Sequence, residues 1–193
     1  MTLLIAAVVA REGKGIKRLV VGALTASLIG DTLLLQPSLF AAGLVAFLVA
    51  HLFYIVAFTR DVGFLPSRAA LAAIAAVAIC ILVYLWPGVG AELKAPVVVY
   101  VGVIALMAAQ AVGRAAALND RAAIAVAAGA LMFMVSDTTL ALAKFSGVGW
   151  PADQWTLPTY YLAQGLIAFC VLPRTPPPRS EGATTWRGAS FDS

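Results

Sequence analysis

The chain is expected to fold as an all-α, polytopic membrane helix bundle of about seven transmembrane helices with a parallel internal repeat. Three observations predict this. Of its 193 residues 62% are hydrophobic and only 11% are charged, against roughly 25% for an average soluble domain. Its mean hydropathy is +0.96. The apolar residues come in long runs, and one short pattern built around an aspartate occurs twice, four runs apart.

Seven runs can be read: 1–10, 19–35, 39–58, 69–86, 96–117, 122–142 and 157–172. Six approach the ~20 residues needed to cross a bilayer. The first does not, because ten helical residues rise only about 15 Å, half the hydrocarbon core. No basic region precedes it and no clear cleavage site follows, so a signal peptide is not expected. Gln36-Pro37-Ser38, Pro66, Pro87-Gly88 and the stretch 147–151 break the runs, as residues that stop helices and turn the chain. Residues 1–172 form the bundle. The Pro-, Ser- and Arg-rich tail 173–193 is expected to be disordered.

Basic residues fall in alternate breaks. Arg11, Lys14, Lys17, Arg18, Arg60, Arg68, Arg114, Arg121, Arg174, Arg179 and Arg187 share one side, and only Lys94 and Lys144 lie on the other. The positive-inside rule then puts the chain in the cell membrane as a multi-pass protein with its C-terminus in the cytoplasm. The net charge of +4 thus speaks to orientation, and nucleic acid is not an expected partner. One histidine and two cysteines, Cys80 and Cys170 within apolar runs, cannot build a zinc-type ligand set. No metal or cofactor is expected.

The repeated pattern is a small residue, Asp, Thr, any residue, Leu: Gly30-Asp31-Thr32-Leu33-Leu34 and Ser136-Asp137-Thr138-Thr139-Leu140. A carboxylate in hydrocarbon costs several kcal/mol unless it is paired, hydrated or protonated. Each aspartate run is followed by a run bearing Ala then His or Gln, Ala50-His51 and Ala163-Gln164. Runs four apart point the same way, which makes the repeat parallel. If the repeat is four plus four, one helix precedes Met1. Counted along their helices, both aspartates lie beyond the midplane, roughly 18–22 Å from the basic side. His51, Tyr54, Tyr100, Tyr160, Tyr161 and Gln164 fall at overlapping depths. One central cleft is therefore expected, with Asp31 and Asp137 across it and Ser136 beside them.

Each of these residues also has a plainer reading. An intramembrane aspartate can cap a neighbouring helix, and His51 can be a packing histidine. Tyr100, Tyr160 and Tyr161 suit an interfacial aromatic belt. Ser136 and Thr138 most often bond back to their own helix, and Gln164 is well placed to cross-link helices.

Four stretches in order resemble the YhhN-like family, the transmembrane lysoplasmalogenases. They are Gly30-Asp31-Thr32-Leu33-Leu34-Leu35, then Phe47-Leu48-Val49-Ala50-His51-Leu52-Phe53-Tyr54, then Gly129 through Asp137, and Tyr160-Tyr161-Leu162-Ala163-Gln164-Gly165. The resemblance covers nearly the whole chain to Leu172. It implies an eight-helix integral membrane hydrolase that cleaves the vinyl ether bond of a lysophospholipid, a lysoplasmalogen, within membrane lipid. The products are a fatty aldehyde and a glycerophospho-head group. The family's two intramembrane aspartates match Asp31 and Asp137. The family has a further helix and a Lys-Pro-Leu-like motif before the position of Met1, and this chain is expected to lack both.

Vinyl ether hydrolysis needs an acid to protonate the alkene carbon and a carboxylate to stabilise the cation or activate water, the logic of a glycosidase pair. Asp137 is expected as the acid and Asp31 as the base. His51 or Tyr54 would position water or a phosphate oxygen, and Tyr100, Ser136, Tyr160, Tyr161 and Gln164 would complete the substrate site. The rival reading is a proton-coupled transporter of a small solute or lipid, since paired intramembrane acids and parallel repeats serve that task equally well. A silent lipid-binding protein is a third. Neither head group nor oligomeric state can be read from the residues.

Overall fold

The computed structural model describes residues 1–10, 15–147, 149 and 152–170. Arg11, Lys14, the end of the last apolar run and the whole tail from Pro173 lie outside the described residues. Among the described residues every regular element is a helix: α1 Thr2–Val9, α2 Gly15–Leu34, α3 Phe40–Phe58, α4 Arg68–Leu85, α5 Ala91–Leu118, α6 Arg121–Phe145 and α7 Ala152–Cys170. Short 3₁₀ turns at Pro37–Leu39 and Trp86–Gly88 join α2 to α3 and α4 to α5.

Among the described residues four segments are long and apolar enough to cross a membrane: Pro37–Phe58, Arg68–Gly88, Ala91–Leu118 and Arg121–Phe145. Helices α2 and α7 are of similar length, 20 and 19 residues, and carry more of the polar side chains. The chain is a membrane protein.

Three helices begin four or five residues earlier than the apolar runs indicate, the first of them α2, which starts at Gly15 rather than Leu19. Pro96 and Leu157 open their runs, but α5 starts at Ala91 and α7 at Ala152, leaving Pro96 and Pro158 inside the helices. Hydropathy misses these first turns because they hold Glu92, Lys94 and Gln154. Glu92 sits in the first turn of α5, where a carboxylate favours the helix dipole. Each proline removes one backbone bond near a helix start, where this is tolerated better than mid-helix.

Boundaries elsewhere follow local chemistry. The Ser67 side chain accepts from the Ala70 amide at 3.1 Å to cap α4, and Asp120 accepts from Ala123 at 2.8 Å to cap α6, as short oxygen-bearing side chains do at helix starts. Asn119 ends α5 in the left-handed region, φ +49°, so two residues suffice to reverse the chain into α6.

Neighbours in the bundle are mostly neighbours in sequence. α2 packs along α3, α6 along α7, and α5 against α3, α4 and α6, while α1 sits on α2 and α7. Glycines allow close approach: a Cβ on Gly129 would lie 3.0 Å from the Ala163 carbonyl of α7, and one on Gly88 would overlap the Phe145 carbonyl. The three turns expected on one side do meet. The Phe40 and Phe145 rings are 5.8 Å apart, edge to face, Lys144 lies over Phe40, and Gly88 abuts Phe145. The ends of α2 and α6 therefore share a side, and the two aspartate helices run in the same direction.

At the opposite end α5 clamps the loop between α3 and α4. The Gln110 amide donates to the carbonyls of Phe58 (3.3 Å) and Gly63 (2.7 Å) and accepts from the Leu65 amide at 2.7 Å. One turn on, Arg114 makes a forked pair with Asp61 at 2.5–3.0 Å. Arg114, counted among the loop charges from sequence, is in fact a buried helix residue, 7% exposed. The clamp also holds Leu65 at φ +48°, a conformation that costs a non-glycine residue about 1–2 kcal/mol. Gln110→Leu strands two carbonyls and one amide. The expected cost is roughly 1–3 kcal/mol, read as a lower melting temperature in detergent with faster hydrogen exchange confined to the residues around Leu65.

Candidate active site

Asp31 lies on the last turn of α2 and Asp137 in the C-terminal third of α6. Each accepts a hydrogen bond from a tyrosine of another helix. Tyr160 of α7 donates to Asp31 at 3.1 Å, and Tyr100 of α5 donates to Asp137. A carboxylate in an apolar segment needs such a donor, since no bulk water is at hand to supply one. The polarity of Tyr and Asp is thereby spent between helices rather than at a lipid interface.

Both aspartates line one cavity of about 430 Å³, together with Ser136, Thr156, Tyr160 and Tyr161. A second, smaller cavity of about 70 Å³ adjoins it, mainly between α3, α4, α5 and α6 with Leu34 of α2 on one wall. Apart from Asp137, Tyr100 and Thr138, its walls are hydrocarbon or aromatic, among them Ala78, Leu85, Ile104 and Met134. The arrangement is a chamber bearing two carboxyl groups beside an apolar slot, with Asp137 lining both.

The structure brings Asp31, Asp137, Ser136, Tyr160 and Tyr161 to the chamber and Tyr100 to the slot. It does not bring His51, Tyr54 or Gln164 to either wall; all three are fully buried behind them. Gln164 is a cross-link: its amide donates to the Ser27 hydroxyl at 2.9 Å and its carbonyl accepts from Tyr54, tying α2, α3 and α7. His51 packs edge-on against Phe133 at 4.7 Å and Tyr100 at 5.4 Å. Neither of its ring nitrogens has a hydrogen-bond partner among the described residues.

Thr138 bonds back to the Met134 carbonyl at 2.7 Å, as the residue type leads one to expect. Ser136 does not bond to its own helix but donates across to the Thr156 carbonyl at 3.0 Å, and Thr139 and Thr156 share a hydroxyl bond of 2.8 Å. This small network seats the first turns of α7 on α6 beside Asp137. Ser27, Thr156, Gln110 and the slot were not singled out from sequence. A serine or glutamine within an apolar helix is the signal for the first and third, whereas the slot depends on how four helices splay and leaves no mark in any one of them.

Residues 1–171 match the family described as the YhhN family. The chain belongs to the YhhN family. Among relatives of this YhhN-family chain is the human lysoplasmalogenase TMEM86B, 33% identical over 172 residues, which are 86% of this chain and 69% of that protein. Human lysoplasmalogenase TMEM86A is 33% identical over 156 residues, 78% of this chain and 63% of the relative. The lysoplasmalogenase of Mycobacterium tuberculosis is 36% identical over 153 residues, 74% of this chain and 56% of the relative. The chain thus spans between about half and two thirds of the length of these relatives. No solved structure matches it.

The buried cross-link gives a checkable energetic signature. Gln164→Leu leaves the Ser27 and Tyr54 hydroxyls unpaired and is expected to cost about 1–3 kcal/mol. Adding Ser27→Ala and Tyr54→Phe removes the stranded groups, so the triple variant should melt above the single one. A triple variant that melts lower, by the sum of separate losses, would contradict the network.

Proposed function

We propose that this YhhN-family chain is a membrane hydrolase that cleaves the vinyl ether bond of a single-chain ether phospholipid. The observation that carries the reading is two carboxyl groups on one chamber, one of them also lining an apolar slot. A lysoplasmalogen has that same division. Its glycerophospho-head group is polar, its alkenyl chain is apolar, and the scissile bond lies between. The names of the relatives point to the same substrate class.

In this reading Asp137 is the acid. It is the carboxyl that faces the first carbons of a chain in the slot, and Tyr100 bonds one of its oxygens while the other is left to carry a proton. That proton passes to the alkene carbon remote from the ether oxygen, leaving an oxocarbenium ion at the carbon attached to it. Asp31, on the chamber alone, steadies the cation and takes a proton from the attacking water. The resulting hemiacetal collapses: its hydroxyl returns a proton to Asp137 as the aldehyde forms, its carbon–oxygen bond to glycerol breaks, and the glycerol oxygen leaves with the proton held on Asp31. Water is consumed; an aldehyde and a glycerophospho-head group are released. Tyr160, Ser136 and Tyr161 complete the chamber wall. Arginine and lysine distribution supports a cell-membrane protein with its C-terminal tail in the cytoplasm.

Purified protein should release aldehyde from a lysoplasmalogen and none from the saturated ether analogue. Asp31→Asn and Asp137→Asn should each lower the rate by at least about 100-fold, the usual scale of general acid–base catalysis, while the fold survives. Retained activity in either variant would contradict the paired-carboxyl mechanism. A pH-dependent flux into vesicles with no covalent product would instead support a carrier.

A further inference from the structure

The two tyrosines that donate to the aspartates are joined to each other by a series of packed rings. Tyr160 meets Phe133 edge to face at 5.4 Å, Phe133 meets His51 at 4.7 Å, and His51 meets Tyr100 at 5.4 Å. Phe47 braces one end of this series, edge-on to Tyr160 at 5.9 Å and to Phe133 at 6.2 Å. The rings come from α3, α5, α6 and α7. Phe47 and His51 are four residues apart on α3, and Phe133 lies four before Asp137 on α6, so each pair shares a helix face. Phe133 and His51 are fully buried and line neither cavity. The series therefore runs behind the site wall, from the donor of one carboxyl group to the donor of the other.

Resting on the proposed catalysis, we propose that the Tyr160–Phe133–His51–Tyr100 series orients the two carboxyl groups relative to one another, with Phe133 and His51 as positioning residues. A tyrosine hydroxyl is carried on a rigid ring, so its place follows from the place of the ring. Tyr100 and Tyr160 each donate to one oxygen of their aspartate, and that bond sets which way the carboxyl group turns. Edge-to-face pairs contribute about 0.5–1.5 kcal/mol each beyond the area they bury. Between helices in lipid there is little hydrophobic drive to add to this, so the ring contacts are a main restraint on both tyrosines. His51 serves here as a ring. Neither of its nitrogens has a hydrogen-bond partner among the described residues, and it lines neither cavity. It is therefore not placed to exchange a proton with substrate or to hold a phosphate oxygen.

The test uses the full chain in detergent and reads the infrared C=O bands of the two carboxyl groups at a pH low enough to protonate both. Each band is assigned by its loss in Asp31→Asn or Asp137→Asn. Tyr160→Phe and Tyr100→Phe calibrate the shift that follows loss of each donor. His51→Ala should move the Asp137 band in the direction that Tyr100→Phe moves it and leave the Asp31 band in place, and His51→Phe should restore it. Phe133→Leu removes the ring common to both arms and should move both bands. In turnover, His51→Ala and Phe133→Leu should lower kcat by roughly 10- to 100-fold, the scale of a small misplacement of reacting groups, with KM little changed. A role in packing alone lowers the melting temperature and moves neither band. If His51→Ala does not fold, Phe133→Leu carries the same prediction for Asp137. An Asp137 band that stays in place in these variants, or a shift in His51→Ala that His51→Phe does not restore, would overturn the proposal. Shifted bands in a protein that releases no aldehyde from a vinyl ether lipid sink the hydrolase reading and support the ring series. Aldehyde release with unmoved bands does the reverse.

Discussion

A carboxyl group within an apolar helix has to be met by a donor from some other part of the chain. That constraint organises this bundle. Tyr160 answers Asp31 and Tyr100 answers Asp137, so four helices are drawn to one level by two hydrogen bonds. Deeper in the bundle Gln164 does the same for Ser27 and Tyr54. Without a hydrophobic drive between helices in lipid, packing of small residues and such cross-links are what hold a bundle together. Here the groups that hold it are the same groups that line the chamber or stand just behind it. Stability and the lining of the candidate site therefore draw on overlapping residues.

Much of this was legible in the residues. Long apolar runs and alternating basic breaks give the helices and their directions, because a helix must be about 20 residues long to cross hydrocarbon. The paired aspartates stand out for the opposite reason: they are too costly in place to be incidental. Helix starts were less legible, since the first turns of α5 and α7 are polar and contain prolines downstream. Arg114 reads as a loop charge on composition and is a buried partner of Asp61. The roles of His51, Tyr54 and Gln164 depend on rotation about the helix axis, and depth along a helix carries no information about rotation. Depth placed them at the level of the cleft, whereas their faces turn away from both cavities. The apolar slot, formed where α3, α4, α5 and α6 part, is a property of four segments jointly.

Helices α2 and α3 interlock reciprocally: a Cβ on Gly30 would lie 2.7 Å from the Phe47 ring, and one on Gly43 would lie 2.6 Å from a Leu34 methyl. Leu34 and Phe47 are also walls of both cavities. A methyl group added to either glycine therefore disturbs the helix spacing and a wall of the candidate site at once.

Helix α4 stands apart from this economy. Only Ala78 and Leu85 along it are buried, and both are walls of the slot, while Val77, Ile79, Val83 and Tyr84 face outward. It is held chiefly by α5. Most of its sequence answers to the bilayer alone, so exchanges among Ala, Val, Leu and Ile leave the bundle untouched over most of its surface. The helix behaves as a detachable panel. Its exposed face is ground for probes, tags or lipid-reporting labels, and its slot-lining residues, Ala78, Ile81 and Leu85, are the place where such freedom ends.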